Sequence, residues 1–125
     1  PTSTRNKLFM SFATSTNNGG TSGIEVYEFY DVTGSATVTP RGNDEGNRNR
    51  AHWGHRGSHA NDNDCSEICF YLYADVARTT ESVYTINRKA ADASADRNFN
   101  FSNSDNAAWG FTATTSFFIQ EIQTY

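Results

Sequence analysis

The sequence predicts an all-β domain that folds as an antiparallel β-sandwich or a closed barrel. Aromatic residues are abundant, with nine Phe and six Tyr in 125 residues, whereas Leu occurs only at Leu8 and Leu72. Aromatic and β-branched side chains suit strands, while helices draw on Leu, Ala, Glu and Lys. Clusters of Ser, Thr, Asn and Gly separate about seven or eight short candidate strands, as in sandwiches and barrels. A chain of this length forms one domain, residues 1–125.

The first forty residues contain three candidate strands. Residues 7–13 form the first strand, and a polar loop follows it. Residues 24–30 form the second strand and 35–39 the third, with turn residues between them. Pro40 ends the third strand because it lacks the N–H that a sheet ladder needs. The sequence therefore predicts a hairpin between residues 24 and 39.

The clearest strand signal in the chain lies at residues 68–76. Apolar and more polar side chains alternate there with a period of two, as in a half-buried strand. The Ala-rich stretch 88–97 has the composition for one or two helical turns, but we interpret it as a surface connection. Further strands are predicted, in chain order, at 82–87, 98–101, 109–114 and 115–122.

The same alternation predicts which side chains form the core. Each strand of a sandwich directs alternate side chains inward. Residues 7–13 and 116–122 carry apolar side chains on both faces, which fits central strands or contacts with another subunit. We favour pairing of both segments inside the sheets of the monomer. The predicted core residues are Leu8, Met10, Phe12, Ile24, Val26, Phe70, Leu72, Val76, Phe117 and Ile119.

Charge and hydropathy limit the classes of partner. The formal net charge is −4 and the basic residues form no long run, so no nucleic-acid partner is expected. No segment approaches the roughly 18 consecutive apolar residues of a membrane helix, so no membrane span is expected. The polar composition and a first residue other than Met predict a secreted, extracellular protein whose export signal has been removed. Asn100 begins an Asn-Phe-Ser sequon, an acceptor for glycosylation in a eukaryotic source.

Cys65 and Cys69 are the two cysteines, and an oxidising compartment favours a disulfide between them. Four residues of extended strand would separate their Cα atoms by about 13 Å. A disulfide joins Cα atoms that are only about 5–6 Å apart. The predicted bond therefore requires residues 65–69 to form a turn.

The long polar loop 40–64 contains the candidate binding site. Its one large apolar side chain, Trp53, lies among Arg, Asn, Asp and His residues. An aromatic ring can cover the apolar face of a sugar while polar groups bond its hydroxyls. We therefore hypothesise a secreted, non-enzymatic, lectin-like module that binds a glycan or glycoconjugate, although Trp53 also fits an anchor folded onto the core. The predicted ligand-binding residues are Trp53, Arg48, Asn49, Arg50, Asn61 and Asp62.

The same loop holds all three histidines, His52, His55 and His59, spaced three and four residues apart. Imidazole nitrogens together with a carboxylate could bind zinc, and calcium is a second candidate cofactor. Gly54 and Gly57 argue against a helix that would bring the three rings to one face. We favour solvated loop histidines without a cofactor.

Two other classes of function stay open. A small secreted hydrolase or nuclease would use His52 or His55 as acid or base and Arg50 or Arg56 to bind a phosphate. No Gly-x-Ser-x-Gly elbow and no catalytic-cysteine context occurs, so a binding protein is favoured over an enzyme.

A structural subunit of an extracellular oligomer or filament is the other alternative. Tyr71 and Tyr73 lie on the strand face opposite Phe70 and Leu72. They could form an exposed aromatic platform for a ligand or for a second subunit. Ordinary cross-strand packing is the interpretation that we favour for them.

Overall fold

The computed structural model of the protein describes residues 1–17, 22–43, 46, 50–58, 65–90, 98–99 and 114–124. Strands are the regular secondary structure in these ranges, and no helix there is long and apolar enough to cross a membrane. The strands are β1 (Lys7–Asn17), β2 (Ser22–Asp31), β3 (Ala36–Thr37), β4 (Trp53–Ser58), β5 (Cys65–Asp75), β6 (Tyr84–Ala90), β7 (Asn98–Phe99) and β8 (Ser116–Ile122).

The first sheet is built around β1. Strand β5 runs antiparallel to β1 along its whole length, from Lys7 opposite Asp75 to Asn17 opposite Cys65. On the other side of β1, β8 pairs with residues 7–13 and β7 pairs with the last two residues of the strand. The segment 7–13 is therefore part of a central strand inside the monomer, as predicted.

The second sheet is built around β2. Strand β6 pairs antiparallel with residues 25–31 on one side. On the other side β4 pairs with residues 22–27 and β3 pairs with residues 30–31. The pairing of β2 with β3 confirms the hairpin predicted between residues 24 and 39.

The two sheets face each other across an aromatic core. Trp53 of β4 lies over Phe70 of β5 with 6.3 Å between ring centroids, and Phe29 of β2 lies 5.8 Å from Phe117 of β8. No strand pairing among the described residues joins one sheet to the other. The fold is therefore sandwich-like, and the closed barrel is not formed. The core cluster comprises Leu8, Met10, Phe12, Tyr27, Phe29, Val38, Ile68, Phe70, Ala74 and Val76.

Most of the predicted core is buried. Leu72 is half-buried at the edge of the cluster. Ile24 was predicted wrongly, because 49% of its surface is exposed. Phe117 and Ile119 face the other sheet but stay 39% and 37% exposed, because β8 lies at the side of the first sheet. The residues buried as predicted are Leu8, Met10, Phe12, Val26, Phe70 and Val76.

The position of Ile24 outside the core cluster follows from the orientation of β2. This strand directs Tyr27 and Phe29 into the core, and Glu25 lies on the same face. Glu25 is fully buried, where it accepts hydrogen bonds from the Tyr27 hydroxyl at 2.7 Å and from Arg88 at 3.0 Å. Burial, followed by this contact with Glu25, raises the pKa of Tyr27 above its usual value. A buried carboxylate that is paired in this way can lie inside a sandwich. Because Ile24 precedes Glu25 directly in the strand, its side chain is on the opposite face.

Three segments differ from the predicted strands or lie outside the described residues. Strand β4 was not predicted, because residues 53–58 lie within the expected polar loop 40–64. The stretch 88–97 was interpreted as a surface connection. Its residues 88–90 belong to β6, and residues 91–97 lie outside the described part. The strand predicted at 109–114 also lies almost entirely outside it.

The structure does not support the predicted disulfide between Cys65 and Cys69. Both residues lie in β5, in regular antiparallel register with Asn17 and Ala13. An extended segment of this length separates the Cα atoms by about 13 Å, too far for an S–S bond. Cys69 is instead an exposed free thiol.

Candidate functional site

The polar loop 40–64, which was predicted to bind a ligand, contains strand β4 in the structure. In its first part, the Gly42 N–H donates to the Ala51 carbonyl at 3.1 Å and Arg50 Nε donates to the Gly42 carbonyl at 2.9 Å. Strand β4 follows directly. Of the predicted ligand-binding residues, Arg48, Asn49, Asn61 and Asp62 lie outside the described residues.

Trp53 is attached to the core. It is half-buried, and its ring lies 5.8 Å from the ring of Tyr27 and 6.3 Å from that of Phe70, nearly parallel to the latter. Of the two interpretations open at the sequence level, these contacts match the anchor. A stacking role of Trp53 toward a sugar stays a prediction.

His52 fills the gap between β3 and β4 along one side of β2. Its backbone N–H donates to the Tyr27 carbonyl at 3.0 Å, and its Nδ1 accepts a hydrogen bond from the Phe29 N–H at 3.0 Å. Because Nδ1 accepts, the proton is on Nε2, which donates to the Val38 carbonyl at 2.8 Å. Burial is the largest influence on this ring, and it lowers the pKa of His52 below 6.5.

These bonds bear on the predicted metal site. A metal on His52 would replace one of its two hydrogen bonds to the backbone. In the described part of the chain no three His, Cys, Asp or Glu side chains are grouped to hold a metal. The side chain of His55 and the whole of His59 lie outside that part, so a site that includes them stays a prediction.

The outer face of the first sheet carries a cluster of aromatic rings, here called the aromatic face: the half-buried Phe9 and the exposed Tyr71, Tyr73 and Phe118. Tyr71, Tyr73 and Phe118 are 68%, 56% and 51% exposed. The ring of Phe9 lies between the others, 5.1 Å from Tyr73, 6.2 Å from Tyr71 and 6.4 Å from Phe118 between centroids. Three neighbouring strands supply these rings, because β5, β1 and β8 pair in register there.

A groove continues the aromatic face toward the start of β5. It encloses about 230 Å³ and is lined by Ala13, Thr14, Ser15, Glu67, Ile68, Cys69 and Thr114. Cys69 is two residues from Tyr71 on the same strand, so both lie on the same face of the sheet. The aromatic rings and the groove form one continuous surface along β5.

The charges on this surface are acidic or neutralised. Lys7 forms an ion pair with Asp75 at the end of the face beyond Tyr73. Glu67 is exposed in the groove at the opposite end, and no Lys or Arg among the described residues forms an ion pair with it. The surface is therefore suited to uncharged groups that accept or donate hydrogen bonds.

No family model, no curated protein and no solved structure matches the chain. Any inference about function therefore depends on the geometry described above. The sequence had indicated Tyr71 and Tyr73 as a platform, although cross-strand packing was favoured for them. Phe9 and Phe118 were not included in the predicted site. The sequence pattern that could have indicated them is the presence of apolar side chains on both faces of β1 and β8. We had attributed that pattern to packing of the strands inside the monomer.

Proposed function

We propose that the protein binds a glycan without chemically changing it, and that the aromatic face is the binding surface. The supporting observation is the exposure of Tyr71, Tyr73 and Phe118 around Phe9 on the outer face of one sheet. Burial of aromatic rings is favourable, so a group of them left in water marks a contact surface. A secreted location fits this function and stays a prediction.

The chemistry of the face favours a sugar as the ligand. A sugar ring presents an apolar face of C–H groups, which an aromatic ring can cover, and a rim of hydroxyls that require hydrogen bonds. Tyr71 and Tyr73 supply both an aromatic ring and a phenolic hydroxyl. Ser11 and Gln120 lie on the same outer face, opposite Tyr71 and Phe9 in the strand register, and add polar groups between the rings.

The same rings support a second candidate, a contact with another copy of the chain. Tyr and Phe are enriched where subunits meet, and a cluster of exposed rings is one signature of such a surface. The mass in solution separates the two candidates. Light scattering is expected to give a monomer of 13.9 kDa in the absence of sugar.

The test is a glycan array followed by calorimetry with the sugars that bind. We expect the double variant Tyr71→Ala/Tyr73→Ala to bind at least about tenfold more weakly, since each aromatic contact contributes on the order of 1 kcal/mol. Ile24→Ala is the control, because Ile24 is a large apolar residue, 49% exposed, on the outer face of the other sheet. The control should bind as the parent does.

Two results would contradict the proposal. An array without any binding above background would remove glycan recognition. A sugar that binds the double variant and the parent equally would remove the aromatic face as the site, and a large oligomer that the double variant dissociates would support the subunit contact instead.

A further inference from the structure

The aromatic face and the groove together form a strip that is longer than one sugar. Tyr73, Tyr71, Cys69 and Glu67 occupy alternate positions of β5 and point to the same side of the sheet. Tyr73 is six positions after Glu67, which corresponds to about 20 Å of extended strand at about 3.3 Å per residue. A ligand that contacts both ends of the strip must be a chain of several sugar units.

We infer that the ligand is an uncharged, extended oligosaccharide that runs along β5 from Tyr73 to the groove at Cys69 and Glu67; this inference rests on the proposed function. The part of the strip near Tyr73 supplies aromatic rings for the apolar faces of sugars. The groove supplies hydroxyl and carboxylate oxygens for the hydroxyl groups of the units that follow.

The shape of the groove supports an extended ligand. Ala13 and Ser15 lie at its floor on β1, opposite Cys69 and Glu67 on β5. These small side chains leave a space of about 230 Å³ beside the larger rings. The groove is therefore placed to hold the continuation of a chain whose first units cover Tyr71 and Tyr73.

The charges of the strip select against acidic glycans. Glu67 lies at one end of the strip and Asp75 beyond the other, and Lys7 is already paired with Asp75. The whole chain has a formal net charge of −4. A uronic acid or sulfated sugar would place like charges next to Glu67, which lowers its affinity and its rate of association. Neutral sugars meet no such repulsion.

Cys69 gives a direct probe of the groove, because it is an exposed free thiol that lines it. The probes are homologous neutral ladders of β-linked glucose, mannose, xylose and N-acetylglucosamine, from the disaccharide to the hexasaccharide, beside a ladder of uronic acids. Iodoacetamide alkylates Cys69, and fragment spectra of the peptide between Arg56 and Arg78 distinguish it from Cys65. Calorimetry of the same ladders gives the affinities.

We expect affinity to rise by about tenfold or more from the disaccharide to the longer members of one neutral ladder. At equal occupancy, the long members should slow alkylation of Cys69 severalfold, while the disaccharide leaves the rate unchanged. The variant Cys69→Trp, which fills the groove from an exposed position, should bind long and short members alike. Uronic acids should bind at least about tenfold more weakly than neutral chains of the same length, and Glu67→Lys should reduce this difference.

The outcomes separate this inference from the proposed function. If neither the neutral ladders nor the uronic acids bind, both are overturned, and if only uronic acids bind, the inference alone is overturned. If a sugar binds and Tyr71→Ala/Tyr73→Ala weakens it, the function stands. The inference is then overturned by a disaccharide that binds as tightly as the hexasaccharide, by Cys69 alkylation unaffected by long chains, or by uronic acids that bind equally well.

Discussion

His52 shows how one side chain can replace a missing piece of a sheet. Strand β3 ends at Thr37 and β4 begins at Trp53, so the side of β2 between them lacks strand partners. The imidazole of His52 takes up the Phe29 N–H on one side and the Val38 carbonyl on the other. Both ring nitrogens act together only in the neutral form, since a proton on Nδ1 would face the Phe29 N–H. His52 therefore stabilises the edge of the second sheet only while it is uncharged.

This role predicts a loss of stability in mild acid. The folded protein holds the pKa of His52 below the ordinary value of 6.5, so unfolding takes up a proton as the pH falls. The contribution of His52 is fully present above pH 6.5, decreases as the pH falls below it, and levels off below the lowered pKa. Urea unfolding at several pH values between about 8 and about 5 measures this change.

His52→Gln is the informative variant, because its amide has no charge to gain in this pH range. We expect it to be less stable than the parent at neutral pH, and the difference to shrink as the pH falls below 6.5, because the parent progressively loses the contribution of His52. A difference that stays constant across the whole range would show that His52 does not titrate with a lowered pKa in the folded protein. The other ionisable groups are the same in both proteins, so their effects cancel in the comparison.

At the scale of the strand, β5 was predictable because its sequence allows a single orientation. Alternate positions carry large apolar side chains, and the interior takes Ile68, Phe70 and Ala74 as the pattern requires. Strand β2 was ambiguous, since both of its faces are partly apolar. Its orientation depends on Arg88 pairing with Glu25 and Arg78 pairing with Asp31. These partners are 63 and 47 residues away in sequence, so no local pattern reveals them.

Strand β4 was missed for a related reason. Its sequence, Trp-Gly-His-Arg-Gly-Ser, lacks the alternating apolar residues from which strands are predicted. Backbone pairing with residues 22–27 of β2 and packing of Trp53 on the core hold it in place. A strand of this kind depends on its neighbour and cannot be recognised from its own residues.

The continuity of β5 predicts that Cys65 and Cys69 do not form an intramolecular disulfide, even in an oxidising buffer. The bond would require residues 65–69 to leave their pairing with residues 13–17 of β1. We expect the intact mass of the folded protein to be the same before and after treatment with a reductant. A mass lower by two hydrogen atoms before reduction, located by peptide mapping to this pair, would show that β5 begins later than in the structure.

At the scale of the molecule, the aromatic face illustrates what a sequence conceals. Each of its rings comes from a strand whose alternation was visible, so the side chains that point outward could be predicted one strand at a time. Their grouping depends on the register that places Phe9 opposite Tyr73, and Ser11 opposite both Tyr71 and Phe118. Register between strands that are distant in sequence follows from the whole fold, so the site could not be assembled beforehand.

Phe29 is expected to stabilise the fold and Phe118 to bind the ligand. Two matched truncations test this difference. Phe29 is fully buried between the sheets, against Phe70 and Phe117. Phe29→Ala should lower the free energy of unfolding by about 3–5 kcal/mol, through lost burial and the cavity that remains. That is a large part of the roughly 5–15 kcal/mol that stabilises a domain.

Phe118→Ala removes an equal ring from the aromatic face. Because Phe118 is half exposed, the free energy of unfolding should change by less than about 1 kcal/mol, while sugar binding weakens. Denaturant unfolding and calorimetry of both variants measure the two effects side by side. If Phe118→Ala destabilised the protein as much as Phe29→Ala, the outer ring would be part of the structural core, and its exposure would no longer indicate a binding surface.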